Sequence, residues 1–327
     1  MYKDKKISVV IPCFKVKKHI KKVIESIPSF VDYIIVVDDS CPEKTGKFVE
    51  SLNIKKTYVL YNKKNLGVGG ATINGVKKSF LKKSDVIIKI DGDGQMDPSL
   101  MISFIDPIVD NIADYSKGNR FFSYEMFKNM PRVRMFGNLV LTLVTKFSTG
   151  YWKISDPTNG YFALNTNLIP FLNLDKVNNR FFFESDLLFR LNTVNAVVLD
   201  IPIYSTYGDE ESNLSIRKVL LPFLFFNIRN FVKRIAYNYY IKNINICSIT
   251  IPIMLIQLFF SFFYTLFLYN EFILNDLPTP IGSLMILFFN TLVAIIFLLF
   301  FFSHDMGSQP SQPVSNFLGL VKKNSRL

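Results

Sequence analysis

Two aspartates that lie one residue apart, Asp91 and Asp93, are the side chains of this sequence best suited to metal chemistry. They follow the apolar segment 85–90, whose β-branched residues predict a buried strand. Carboxylates at the end of such a strand offer hard oxygen ligands, which Mg²⁺ and Mn²⁺ bind together with substrate phosphate oxygens. Asp and Gly are also common in turns, so an acidic turn is the alternative interpretation of this motif.

The elements that must position these aspartates alternate between strands and helices. Strands are predicted at 7–11, 33–37, 57–61, 85–90 and 114–116, and helices at 15–27, from the glycine turn 67–70 to residue 80, at 139–147 and at 181–191. This alternation predicts βαβ units and an α/β fold with a mostly parallel sheet. Open α/β sheets bind ligands at the carboxyl ends of their strands, so the polar segments that follow the strands form the candidate site.

The apolar residues are concentrated near the end of the 327-residue chain. Segments 246–269 and 281–303 contain no charged residue, and as helices with ~1.5 Å rise per residue each is long enough for a hydrocarbon core of about 30 Å. The loop between them, 270–280, has acids but no Lys or Arg, whereas the flanking segments are basic. The positive-inside bias therefore predicts a multi-pass plasma-membrane protein whose preceding domain and tail are cytoplasmic.

The segment before these spans, 212–245, contains basic and aromatic residues and no acid. This composition predicts interfacial helices on anionic headgroups, in agreement with the net charge of +12. RNA binding is the alternative, but no RNA-binding module is recognisable and two spans follow, so nucleic acid is not expected as a partner. The predicted organisation is a catalytic domain at 1–211, juxtamembrane helices at 212–245, a two-helix transmembrane hairpin at 246–303 and a cytoplasmic tail at 304–327. Polar residues within the spans, such as Asn290, suggest a homo-oligomer.

Four short motifs at the ends of successive strands carry a family resemblance. They are Ile11-Pro12, Asp38-Asp39-Ser40, Asn65-x-Gly67-x-Gly69, and Asp91-x-Asp93-x-Gln95 with Pro98. In this order they resemble the family 2 glycosyltransferases, and more narrowly the branch of dolichol-phosphate mannose synthase and bactoprenol glucosyltransferase. The resemblance covers about residues 5–220 and implies a GT-A type domain that binds a nucleotide-diphosphate sugar and uses Mg²⁺ or Mn²⁺.

The resemblance also implies roles for individual residues. The expected nucleotide-sugar ligands are Pro12, Asp39, Asp91 and Asp156; the metal ligands are Asp91, Asp93 and Gln95; the acceptor-phosphate ligands are Arg120, Arg134 and Asn138; and the catalytic residues are Asp93, Glu184 and Arg217. Arginine suits the acceptor role because its guanidinium fork binds phosphate with two hydrogen bonds. The alternatives are that the arginines are surface residues, and that Lys218 acts in place of Arg217. Lys15-Val16 departs from the Asn-Glu of many family members, so the base of the donor, UDP- or GDP-linked, stays open.

Three functions follow from these observations. The first is transfer of a sugar from a nucleotide-diphosphate sugar to polyprenyl phosphate in cell-envelope glycan biosynthesis, with inversion as the resemblance implies. The second uses a hydroxyl of a lipid-linked glycan or polysaccharide as acceptor, and the third is a non-catalytic membrane scaffold that binds nucleotide sugar. The first is favoured because a phosphate with a second pKa of about 6 needs little help from a base, and neither His19 nor His304 lies in a motif.

Overall fold

The computed structural model describes residues 1–122, 132–204 and 216–318, and the side chains of 132–134 and 216–220 lie outside the description. Within these residues one sheet contains β1 (Ile7–Cys13), β2 (Tyr33–Asp38), β3 (Thr57–Tyr61), β4 (Val86–Lys89), β5 (Tyr115–Asn119), β6 (Phe162–Asn165) and β7 (Val198–Pro202). The strand order is β3-β2-β1-β4-β6-β5-β7. Only β6 runs antiparallel to its neighbours β4 and β5, so the predicted mostly parallel α/β sheet is confirmed among the described strands.

Helices cover both faces of the sheet, and further helices follow the last strand in the sequence. Their bounds are α1 (Lys17–Glu25), α2 (Thr45–Ser51), α3 (Val68–Leu81), α4 (Met101–Val109), α5 (Arg132–Thr149), α6 (Phe183–Thr193), α7 (Ile216–Ala236), α8 (Ile246–Leu268) and α9 (Ile281–Gly307). Helix α5 begins seven residues before the predicted start at 139, because the sequence signal rested on the apolar part of the helix alone.

Strand β1 is buried along its whole length, which explains its nearly continuous apolar sequence. Successive side chains of a strand point to opposite faces of the sheet. Accordingly, Val9 and Ile11 join the hydrophobic cluster that includes α1 and α4 residues, whereas Val10 joins the cluster that includes α3 and α6 residues. The two clusters hold the helices on either face and leave the carboxyl ends of the strands as the edge where loops meet.

The chain divides into two compact units, residues 1–232 with 310–327, and residues 233–309. The first unit contains the sheet, and the segment after α9 belongs to it, because the buried Asp114 carboxylate accepts hydrogen bonds from the amides of Val314 and Ser315 at 2.9 and 2.8 Å. The predicted boundary at residue 211 lies outside the described residues.

The second unit contains α8 and α9, which pack against each other. Residues 246–273 and 281–307 form two helices long and apolar enough to cross a membrane. The side-chain amide of Asn290 donates to the Gln257 backbone carbonyl at 2.9 Å and to the Ser261 hydroxyl at 2.7 Å, so this amide is satisfied within the hairpin. Such pairing is required where lipid offers no hydrogen-bonding partner.

Candidate active site

The candidate residues come together at one edge of the sheet because the parallel strands all end there. Pro12 lies in β1, Asp39 directly follows β2, and Asp91 and Asp93 follow β4. Residues 156–161 reach the same edge for a different reason: they precede β6, which runs in the opposite direction. The edge therefore receives loops both from the ends of the parallel strands and from the beginning of the antiparallel one.

Asp39 organises the glycine turn that leads into α3. Its buried carboxylate accepts hydrogen bonds from the side chain of Asn62 at 2.7 Å and from the amides of Leu66 and Gly67 at 2.9 and 2.7 Å. Three donors on one carboxylate are sufficient to satisfy its charge without a cation. Asp39 thus fixes the shape of the turn at this edge, and its contact with a nucleoside stays a prediction.

Asp91 and Glu184 face a buried lysine that the sequence analysis did not select. Lys89, on β4, is 1% exposed, and its Nζ lies 2.6 Å from Asp91 Oδ1. A Cβ built on Gly160 would clash with this Nζ and lie 3.4 Å from Asp91 Oδ2 and 3.5 Å from Glu184 Oε1. A side chain at 160 would therefore displace the Lys89 ammonium from its place beside Asp91 and close to Glu184. The available signal was a single charged residue within an apolar strand.

Burial raises the pKa of Glu184 to about 8, although the positive charge of Lys89 opposes the shift and Asp91 adds to it. Its carboxyl is therefore largely protonated near neutral pH. A neutral carboxyl in this position can donate a hydrogen bond, which a carboxylate cannot do.

Arg120 and Asp156, expected to serve different ligands, form one ion pair. Arg120 Nε and Nη2 each donate to the Asp156 carboxylate at 2.7 Å, and the Arg120 amide donates to it at 3.1 Å. Asn159 Nδ2 adds a further hydrogen bond at 3.0 Å. Burial alone would raise the pKa of the Asp156 carboxyl, but the hydrogen bonds and charge of Arg120 outweigh it and hold the pKa below its ordinary value. The pair fixes the 156–161 loop to the end of β5. The contacts of Arg120 with the acceptor phosphate and of Asp156 with the donor stay predictions.

The carboxylates after β4 suit a divalent cation whose coordination shell is completed by oxygen atoms of the substrate. Asp93 is half-buried and accepts the Gln95 amide at 3.0 Å, while the Gln95 side chain is exposed. Among the described residues, no group of three His, Cys, Asp or Glu side chains is placed to hold a metal ion by itself. A site with one or two carboxylates suits Mg²⁺ or Mn²⁺, which take further ligands from substrate phosphates and water.

The remaining predicted site residues lie on helices. Asn138 is half-buried in α5, whereas the side chains of Arg134, in the first turn of α5, and Arg217, at the start of α7, are outside the described part of the chain. A second buried lysine lies outside the sequence motifs: Lys117, on β5, donates to the Ser155 carbonyl at 2.7 Å and lies 3.3 Å from Asp200 Oδ1. Through the Ser155 carbonyl, Lys117 holds the residue that precedes the 156–161 loop next to β5.

A sheet of this order, with carboxylates after β4 and a glycine turn before α3, defines a GT-A type fold, the class that binds nucleotide-diphosphate sugars. The family model described as Glycosyl transferase family 2 matches residues 8–170, which include all but the first residue of β1, the strands β2 to β6 and these carboxylates. The chain is a family 2 glycosyltransferase.

Curated relatives place this glycosyltransferase in the polyprenol-phosphate branch. UDP-N-acetylglucosamine–dolichyl-phosphate N-acetylglucosaminyltransferase of Methanococcus voltae is 29% identical over 221 residues, which are 63% of this chain and 88% of the relative. Polyprenol monophosphomannose synthase of Mycolicibacterium smegmatis is 24% identical over 63% of this chain and 79% of the relative.

Solved structures share the fold. Glucosyl-3-phosphoglycerate synthase of Mycobacterium tuberculosis, in complex with Mn²⁺, UDP and phosphoglyceric acid, superposes with a TM-score of 0.52 at 16% identity. The superposition covers 71% of this chain and 78% of that one. The resemblance noted in the sequence, the enzyme class and the GT-A fold are thereby confirmed.

Proposed function

We propose that this enzyme transfers a sugar from a nucleotide-diphosphate sugar to polyprenyl phosphate at the cytoplasmic face of the plasma membrane. The relatives named for dolichyl and polyprenol phosphate support this acceptor. The name of the Methanococcus voltae relative and the UDP in the structural neighbour support a UDP-linked donor over a GDP-linked one.

The observation that carries the proposal is an exposed apolar face on each of two helices of the catalytic unit. Helix α5, which begins beside the predicted acceptor arginine Arg134, exposes large apolar side chains on one face, and α7 does the same. The exposed residues are Phe136, Leu139, Val140 and Leu143 on α5, and Leu221, Leu224, Phe225, Ile228 and Val232 on α7. Apolar side chains with helical spacing are typical of helices that lie in a membrane interface, where a polyprenyl phosphate presents its headgroup.

The connectivity of the chain supports a cytoplasmic catalytic unit with a two-span hairpin. The chain leaves the catalytic unit at residue 232 and returns to it at residue 310. Both ends of the hairpin must then lie on the same side of any membrane that it crosses. The absence of Lys and Arg from loop 270–280, beside basic flanking segments, favours the cytoplasm for that side.

A divalent cation would be held by Asp93 and Asp91, with Gln95 beside them. When bound, it would neutralise the negative charge that develops on the departing nucleoside diphosphate. Lys89 pairs with Asp91 Oδ1, so a cation at Asp91 would share that carboxylate with the ammonium. Lys89 fixes the position of the Asp91 carboxylate, and its positive charge acts on Glu184.

The proposed reaction needs no proton transfer. A phosphate oxygen of the acceptor forms a bond to the anomeric carbon, and the bond from that carbon to the diphosphate breaks with its electron pair on the diphosphate. Attack from the side opposite the leaving group inverts the anomeric configuration. The acceptor is already largely dianionic at neutral pH, so a protonated Glu184 is compatible with this step and serves to orient the sugar by hydrogen bonding.

A hydroxyl acceptor is the second candidate, and one observation favours it. A carboxyl whose pKa is about 8 lies near the working pH, where general bases are most effective. A glycosyltransferase that deprotonates a glycan hydroxyl would use Glu184 in this way. A non-catalytic scaffold is disfavoured, because clustered carboxylates repel one another unless a bound metal ion offsets their charge, and a scaffold has no need of such a cluster.

A donor and acceptor screen tests the proposal. The full chain in detergent is incubated with several UDP- and GDP-sugars, Mn²⁺ and polyprenyl phosphate, and the lipid extract is examined by mass spectrometry, with Asp93→Asn as the inactive control. The expected product is a monosaccharide phosphodiester of the lipid that mild acid cleaves. If label from the donor reaches only longer glycans and polyprenyl phosphate is never modified, the hydroxyl acceptor replaces the phosphate.

A further inference from the structure

The buried carboxylate of Asp186, near the start of α6, joins two parts of the chain that are distant in sequence. Oδ2 accepts the amide of Asn178 at 2.9 Å, and Oδ1 accepts the side-chain amide of Asn230, on α7, at 2.9 Å. The guanidinium groups of Arg190 and Arg229 lie 3.6 and 3.8 Å from the same carboxylate. Two hydrogen bonds and two nearby cations satisfy the charge of a side chain that is 0% exposed.

Asp186 fixes residues 178–180, which pack against the glycine turn 67–70 and are called the 178–180 wall below. The Asn179 carbonyl accepts the Gly70 amide at 2.9 Å. A Cβ built on Gly69 would lie 2.5 Å from the Asn178 carbonyl oxygen, so the turn and the wall are in direct backbone contact and only glycine fits. A shift of the wall must therefore shift the turn, whose other side is held by Asp39.

We propose that Asp186 is a positioning residue of the donor pocket: it holds the 178–180 wall against the glycine turn and ties that wall to the juxtamembrane helix α7. The proposal rests on the proposed function in taking the glycine turn as part of the donor pocket. Asp186 acts through the wall and touches no reacting atom. Its consequence is that nucleotide affinity depends on how α7 packs against α6.

A second attachment of α7 provides a matched control. The Ser148 hydroxyl donates to Asn227 Oδ1 at 2.5 Å, and Phe182 packs on Phe223 and Phe226 with ring centroids 4.8 and 5.2 Å away. The Ser148 contact holds the same helix as Asn230 does, but within the described part of the chain it makes no hydrogen bond to Asp186 or to the wall. Loosening α7 through Ser148 should leave the glycine turn in place.

The test compares Asn230→Ala with Ser148→Ala in the full chain, reconstituted in lipid nanodiscs. Hydrogen–deuterium exchange of the 66–70 segment is measured without ligand, and UDP binding is measured by calorimetry with Mn²⁺. Asn230→Ala is expected to accelerate exchange at Gly70 and weaken UDP binding, each by about tenfold or more, the factor that corresponds to losing a hydrogen bond to a charged group. Ser148→Ala is expected to change neither quantity by more than about twofold, at a comparable loss of melting temperature.

The swap Asp186→Asn with Asn230→Asp is the rescue variant. The new amide at 186 can still accept from Asn178 and can donate to the new carboxylate at 230, so exchange and UDP binding should return towards the wild type, whereas Asn230→Asp alone sets two carboxylates against each other. Equal effects of Asn230→Ala and Ser148→Ala, or no effect of either, would overturn the proposal, as would failure of the swap to restore exchange. If the wild type does not bind UDP, the proposed donor fails, while the exchange measurement still decides the role of Asp186.

Discussion

Replacement of Arg120 by alanine should destabilise the catalytic unit rather than only weaken binding of the acceptor. The Asp156 carboxylate is 1% exposed and Arg120 is 21% exposed, so the ion pair is largely removed from water. Without the guanidinium, a buried negative charge keeps the Asn159 side chain and one backbone amide as its hydrogen-bond donors among the described residues. Loss of one member of a buried ion pair costs about 3–5 kcal/mol of unfolding free energy.

For a unit of this size, 1 kcal/mol corresponds to a change of about 2–4 °C in melting temperature, so Arg120→Ala should melt about 6–20 °C lower. Arg120→Lys keeps a charge but loses the two-pronged hydrogen bond, and about 1.5–3 kcal/mol is expected for it. Asp156→Ala should cost less than Arg120→Ala, because a partly exposed guanidinium that loses its partner can still reach water.

The assay is thermal unfolding of the purified full chain, followed by fluorescence, for the three single variants and the double variant Arg120→Ala with Asp156→Ala. The two positions should show a coupling energy well above about 1 kcal/mol, because they share hydrogen bonds. The low pKa of Asp156 also means that this stabilisation is present above the ordinary aspartate pKa of 3.8 and is lost as the pH falls below it. An unchanged melting temperature for Arg120→Ala, together with a raised KM for polyprenyl phosphate, would refute a structural role and favour a phosphate contact alone.

Four further predictions concern the metal, Glu184, the acceptor and the topology. Asp93→Asn should lower turnover by more than about 10²-fold, as loss of an electrostatic contact in the transition state does, and full activity in a chelator would contradict a metal role. Glu184 keeps its proton up to about pH 8 in the folded state but loses it near pH 4.5 in the unfolded state, so stability should fall as the pH rises from about 4.5 to 8. Glu184→Gln should therefore flatten the dependence of melting temperature on pH. Parallel curves for the variant and the wild type would contradict this. Arg134→Ala should raise the KM for polyprenyl phosphate by about 10- to 100-fold with donor KM nearly unchanged, and a raised donor KM would instead place this residue on the nucleotide side. A cysteine at Asn275 should react with an impermeant reagent from outside the cell, while one at Ser311 should react only after permeabilisation; the reverse pattern would invert the topology.

The sequence alone determined the class of the fold and the edge of the sheet that carries the site. Strand β1 and the strand before Asp91 were recognisable because burial on both faces requires a continuous apolar run, and this requirement is local. The carboxylates of Asp91 and Asp93 were recognisable because they directly follow such a run. The α/β class, the glycosyltransferase family and the enzyme class predicted from these motifs were all confirmed.

The partners of these residues depend on the tertiary structure. Arg120 and Asp156 are 36 residues apart, and they meet because β6 runs antiparallel between β4 and β5 and so begins at the edge where β5 ends. Spacing along the chain carries no signal for that reversal. Sequence reasoning therefore assigned the two residues to separate ligands, whereas the structure joins them as one ion pair.

The same reason applies to the two groups that the sequence analysis missed. Lys89 pairs with Asp91 close to Glu184 because the loop that contains Gly160 and the start of α6 meet at the end of β4. Asp186 receives Asn178 and Asn230 only because α6, the 178–180 wall and α7 pack together. Apolar periodicity determines which residues are buried, whereas the partner of a buried charge is set by strand order and helix packing, which only the folded chain determines.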